Sequence, residues 1–120
     1  MKLTLEGVTE SDKFILNNEF NDAKDFYKQE KTLHFKKQQY ELFVTNSNYY
    51  CDFLIKSGDY PTAKTELEKL EPFLHDIDLT DQIREDNTIY LHQNFAELYN
   101  HIGEYHKAID HLKIAKGIYK

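Results

Sequence analysis

Four histidines, His92, His101, His106 and His111, crowd the C-terminal part of the sequence, the last three at five-residue intervals. Imidazoles at this density are the raw material of a metal site, but ligands carried by one helix must share a face, at offsets of three or four residues. A five-residue step turns a side chain by about 140° around the helix axis, and Gly103 interrupts the chain between His101 and His106. No metal site and no cofactor are therefore expected. His106 and Asp110, four apart, read as a surface pair on one helix, and His92, among apolar neighbours, as a packed histidine. The single cysteine, Cys51, lies between Tyr49, Tyr50, Phe53 and Leu54, a setting for burial and not for a reactive thiolate.

Catalytic groupings are missing as well. No Ser/His/acid set, H-E-x-x-H, glycine-rich phosphate loop or C-x-x-C is present, and the paired acids Glu85 and Asp86, or Glu66 and Glu68, have the spacing of exposed helix faces. The sequence predicts no enzyme and no catalytic residues. One basic stretch, KDFYKQEKTLHFKK at 24–37, interleaves five lysines with Phe26, Tyr27 and Phe35, the mixture that single-stranded nucleic acid binding uses. Its aromatics fall at helical core spacing, however, and 21 acidic against 15 basic residues give a net charge of -6 that repels phosphate backbones. Nucleic acid is not an expected partner. The N-terminal MKLTLEGVTESDKFIL has no uninterrupted apolar run long enough for a signal peptide, and no stretch approaches the roughly 18 apolar residues of a membrane span, so a cytoplasmic chain with no membrane partner is predicted.

What remains is a scaffold, and its breakers show how it is built. Gly58 and Gly103 each close a run of helix-forming residues and precede another, so the pattern helix, tight turn, helix occurs twice. Tyr40, Phe43 or Val44, Tyr50 and Leu54 before Gly58, and Leu91, Phe95, Leu98 or Tyr99 and Ile102 before Gly103, recur at threes and fours. So do Ala63, Leu67, Leu70 and Ala108, Leu112, Ala115 after them. Pro61 suits a first helical turn, Pro72 predicts the end of the return helix, and Thr80 with Asp81 predicts the start of the next. The hexapeptides GDYPTA (58–63) and GEYHKA (103–108) share Gly, an acid, Tyr and Ala in register. A third copy is read in NEFNDA (18–23), with Asn18 in place of glycine. Three hairpins are thus predicted, at about 8–33 (degenerate), 36–75 and 80–119.

Phe95, Ala96, Tyr99, Gly103, Tyr105, Ala108, Leu112 and Ala115 in the last copy, and Tyr50, Cys51, Leu54, Gly58, Tyr60, Ala63 and Leu67 in the middle one, resemble the tetratricopeptide repeat family. The resemblance implies an all-α fold, an alpha-solenoid of three helical hairpins in a right-handed superhelix, working as a non-catalytic protein- or peptide-binding scaffold. Tyr60 and Tyr105 are then core residues laid over the close helix contact at Ala63 and Ala108. The spacing of the copies exceeds the family's 34 residues and resembles the extended repeats of peptide-sensing bacterial regulators, which implies as an alternative a sensing or regulatory segment of a larger regulator.

In such a solenoid the first helix of each hairpin lines a concave groove. The resemblance places Thr45, Asn48, Asp52 and Ile55 there from the middle repeat, and Tyr90, Gln93, Glu97 and Asn100 from the last. Amides that both donate and accept suit a peptide backbone, and Asp52 with Glu97 predicts a partner with basic side chains or an N-terminal amine. Finally, Ile109, Ile114 and Ile118 lie off the core stripe of the last helix, which predicts that a following repeat, or the same face of a second copy, covers them.

Overall fold

A computed structural model describes the backbone of residues 10–118 and the side chains of residues 17–117. Ile118, used above, has its side chain outside the described set. Five helices occupy the described residues, with no strand among them: α1 (Glu10–Lys36), α2 (Tyr40–Lys56), α3 (Tyr60–Asp76), α4 (Asp81–His101) and α5 (Tyr105–Ile118). None is long and apolar enough to cross a membrane.

Three of the four connections share one geometry. Gly58 and Gly103 sit at φ 84° and 82°, in the left-handed region, and Gln38 joins them at φ 58°. In each case the left-handed residue donates its N–H three residues back and the next residue donates five back: Gln38 to Phe35 O and Gln39 to His34 O, Gly58 to Ile55 O and Asp59 to Leu54 O, Gly103 to Asn100 O and Glu104 to Tyr99 O. This is the Schellman closure, which uses up the carbonyls that a helix end leaves unpaired. A tyrosine follows two residues after the turn residue each time, as Tyr40, Tyr60 and Tyr105.

The turn expected at Asn18 is therefore a correction: α1 runs unbroken through NEFNDA, and the third turn lies at Gln38. Asparagine tolerates the left-handed region but does not require it. The helix continues through Asn18 without a reversal, and its aromatic contacts to α2 begin just past that point, with Phe20 stacked on Phe53 at 5.4 Å and Tyr27 on Tyr50 at 5.7 Å. The predicted hairpin at 8–33 is one arm of a longer α1–α2 pair. Pro72 also fails to end its helix. It lies on the exposed side of α3, where losing one N–H leaves a solvent-facing carbonyl, and the helix continues to Asp76.

The fourth connection, 77–80, is extended and is held from α4. Arg84, the only arginine of the chain, donates from its guanidinium to the carbonyls of Leu74 and, at 2.9 Å, Ile77, placing a cation at the negative end of α3. Thr80 Oγ1 accepts from Ile83 N–H at 3.3 Å and caps α4.

Consecutive helices are antiparallel, and next-but-one helices run parallel. Lys24 bonds Asp59 at 3.1 Å and Lys31 bonds Glu66 at 2.7 Å, equal seven-residue steps that set α1 parallel to α3. Two of the five lysines in the basic stretch are thereby spent on ion pairs inside the fold. Burial pushes the Asp59 carboxyl up, but hydrogen bonds from Lys24 and Thr62 and the Lys24 charge outweigh it and hold its pKa below the usual value. The core gathers Val44, Tyr50, Leu54, Leu67, Leu74, Leu91 and Leu98 between α2, α3 and α4.

The turn geometry generates a paired expectation. Gln38→Gly should raise stability by about 1 kcal/mol by removing a side chain from the left-handed region. Gly58→Ala should lower it by a similar amount, about 1 kcal/mol, through φ alone, since a Cβ there meets nothing within 4 Å. Denaturant titrations of the two variants against the parent check both signs.

Candidate functional site

The eight residues expected to line a groove divide sharply by position. On α2, Asn48 is wholly buried and Ile55 nearly so, and neither faces solvent. Asn48 Nδ2 donates to the backbone carbonyl of Asn87 at 3.1 Å and to its side-chain oxygen at 3.2 Å, while Asn94 Nδ2 donates to Asn48 O at 3.1 Å. Asn87 in turn donates to Ile83 O at 3.0 Å and reaches Thr45 Oγ1 at 3.5 Å. The amide assigned to a ligand's backbone is thus bound to the backbone of α4. Ile55 belongs to the hydrophobic core. Both are corrections to the expected groove, and the reason is the same: α4 lies parallel to α2 and covers this face.

Asp52 is half-buried and engaged, accepting from the Tyr90 hydroxyl at 3.2 Å and from Lys56 Nζ at 2.9 Å. Burial and then the Asp52 charge raise the pKa of the Tyr90 phenol, so it stays a donor. Tyr90 also packs edge to face on Tyr49, with centroids 5.7 Å apart. The acid of the middle repeat is therefore matched within the fold, and the expected pair of ligand-facing acids reduces to Glu97, whose nearest cation candidate is His101 Nε2 at 3.9 Å.

The α4 residues fare differently. Gln93, Glu97 and Asn100 line an open cleft of about 500 Å³ between α4 and α5, together with Tyr105, Ile109 and Leu112, over a floor of Ala96 and Ala108. Tyr105 is 62 % exposed and Leu112 52 %, although both read from sequence as core residues. Their counterparts 45 residues earlier are shielded: Leu67 is 0 % exposed, and Tyr60 stacks under the His101 ring at 5.5 Å. α4 supplies that cover in the middle pair, and no described helix lies over α5. Ile109 (48 % exposed) belongs to this cleft; Ile114, also exposed, stands five residues on and about 140° away on the other edge of α5. Ile109 and Ile114 do not form one patch, and the side chain of Ile118 lies outside the described residues.

Sequence spacing separated the histidines, and the hairpin reunites two of them. His92 on α4 and His111 on α5 bring their Nδ1 atoms to 2.8 Å, with rings stacked and His111 lying on Phe95 at 4.6 Å. A single proton fits between the two nitrogens, so one ring donates and the other accepts. Glu71 Oε2 stands 3.9 Å from His92 Nε2. Among the described residues no group of three or more His, Cys, Asp or Glu side chains converges as metal ligands do. Burial lowers the pKa of both imidazoles, and for His92 the neighbouring His111 lowers it further; Glu71 opposes the shift at both. Cys51 is buried, and burial followed by the Glu66 charge pushes its thiol up to about 12, so it is protonated and a poor nucleophile at neutral pH. Only the fold could join His92 to His111. In the sequence His92 stands 11 residues before Gly103 and His111 8 after it, so the only available signal was that the two flank the same turn.

Two outcomes follow from this geometry. Asn48→Ala should cost about 1–3 kcal/mol by removing the donor to Asn87 and the side-chain acceptor that Asn94 Nδ2 reaches at 3.3 Å, although the Asn94 bond to the backbone carbonyl of residue 48 survives, whereas an amide in an open groove could be removed almost freely; urea unfolding at neutral pH separates the cases. The histidine pair has a folded-state pKa below the unfolded one, so its contribution is complete above about pH 6.5 and is lost as the pH falls below that value. The melting midpoint should hold between neutral and mildly basic pH and decline on acidification. In His92→Phe/His111→Phe, which keeps the ring stack, the decline should be shallower until the carboxylates, Asp59 among them, begin to titrate.

No family model, curated protein or solved structure matches the chain, and its functional reading rests on the geometry just described.

Proposed function

We propose that the chain is a tetratricopeptide-like, right-handed solenoid that serves as a non-catalytic protein- or peptide-binding scaffold. The alternation of antiparallel neighbours with parallel next-but-one helices supports the solenoid, since it is what stacked hairpins produce. One observation carries the binding role. Tyr105, Ile109 and Leu112 remain exposed beside Gln93, Glu97 and Asn100 in one cleft, and a contiguous apolar strip with a polar rim is the composition of an interaction site.

The recognition surface in this reading is the α4–α5 cleft and not a groove spanning both repeats. Its centre is apolar, and its free acid, Glu97, favours a partner with a basic side chain or an amine at one end. The wider α2 surface contributes only Thr45, Asp52 and the exposed ring of Tyr49 at the margin, all of them already in contact with α4.

Selection of binders from a displayed random-peptide library, followed by fluorescence anisotropy on the synthesised winners, checks the proposal. Winners should bind the parent, fail on Leu112→Glu with its helical circular dichroism intact, and weaken with added salt less steeply on Glu97→Gln than on the parent. A library that yields no peptide sensitive to Leu112 removes the binding role.

A further inference from the structure

The cleft and the α2–α3 surface are the same surface met twice, once covered and once open. A shift of 45 residues takes Asn48 to Gln93, Asp52 to Glu97, Tyr60 to Tyr105 and Leu67 to Leu112. On the covered copy each of the first three has a defined partner on α4. Asn48 is bound by Asn87 and Asn94, Asp52 receives the Tyr90 hydroxyl, and Tyr60 lies against the His101 ring. Leu67 is sealed in the core beside Leu91 and Leu98. On the open copy the equivalents keep their chemistry, an amide, a carboxylate, a phenol and a leucine, and they line one cleft.

Building on the scaffold reading, we infer that the α4–α5 cleft binds an amphipathic helix of a partner protein, lying parallel to α4 and antiparallel to α5 and presenting an α4-like face. That face is specified by what α4 itself uses. Two carboxamides seven residues apart, as at Asn87 and Asn94, flank a hydroxyl or cationic donor at the Tyr90 place, with leucines at the Leu91 and Leu98 places and a ring at the His101 place. Carboxamides meet Gln93, the donor meets Glu97, and the ring covers Tyr105. A helix fits better than an extended strand, because the small side chains of Ala96 and Ala108 floor the cleft and let a helix axis approach to the usual packing distance.

A second copy of this chain does not offer such a face. The α4 pattern is used up within each copy, against its own α2 and α3. The exposed side of α1, with Phe26 and Leu33, carries Lys28 and Lys36, which would meet Lys116 beside Gln93 and Leu112. Like charges there oppose the pairing.

The probe is a synthetic peptide of residues 79–102 of this chain, used as a stand-in for the partner helix and added to the full-length protein. It should bind and gain helicity on binding, and Leu112→Glu should weaken it by about tenfold or more. That variant also excludes exchange of the peptide for the protein's own α4, since Leu112 has no part in the α2–α3 surface. Glu97→Gln and a peptide with Tyr90→Phe should each weaken binding, and together no more than either alone. A spin label at the peptide C-terminus should broaden the amide signals of Asn100 and Tyr105, and one at its N-terminus those near Lys116. Absence of binding, binding indifferent to Leu112→Glu, or the reverse pattern of broadening would overturn the inference. So would concentration-dependent self-association of the full chain that Leu112→Glu abolishes. Library peptides that still bind the cleft when the α4 peptide does not would leave the scaffold reading standing and this one refuted.

Discussion

The buried amides of Asn48, Asn87 and Asn94 set the register on which the other contacts depend. An apolar face alone permits α4 to slide or rotate on α2 at little cost, because hydrophobic burial is non-directional. Carboxamides do not permit it. Asn48 has no access to water, and its groups are satisfied only where the carbonyl of Asn87 and the amide of Asn94 stand; any other register leaves buried donors without acceptors. Once that register holds, the Tyr90 hydroxyl reaches Asp52, the His101 ring reaches Tyr60 and the Arg84 guanidinium reaches the end of α3.

Turn geometry and ladder then reinforce each other. Three closures of the same hydrogen-bond form reverse the chain after α1, α2 and α4, and each commits the following helix to an antiparallel path. The first uses glutamine in the left-handed region, and the surrounding contacts hold it there: Phe35 packs on Phe43 at 5.4 Å and Phe43 on Phe73 at 5.0 Å, directly beside the turn. Aromatic packing of this kind outweighs the backbone preference of one residue.

The proposed binding role rests on an inequality between two similar pairs. The α2–α3 pair is finished by α4, whereas α4–α5 presents equivalent side chains to solvent, and Leu67 against Leu112 expresses the difference in a single position. The helix that completes the core and the helix the cleft would receive are thus described by one set of contacts.

The all-helical class, the glycine turns and the periodic apolar stripes were legible in the sequence, because backbone conformation at glycine and side-chain spacing along a helix are local properties. The turn at Gln38 was hidden, since glutamine carries no signal for the left-handed region, and Asn18, which tolerates that region without requiring it, lies on the exposed surface of an unbroken helix. Which amides were free was not legible either. Asn48 and Gln93 occupy equivalent places in equivalent helices, and only the presence of α4 over one and of no described helix over the other makes the first a structural bond and the second a surface. The histidines show the same division: intervals along the chain kept His92 and His111 apart, and the closure at Gly103 brought their nitrogens together. Local sequence determines what each segment can form, whereas burial and partnership belong to pairs of segments and are decided only when the helices meet.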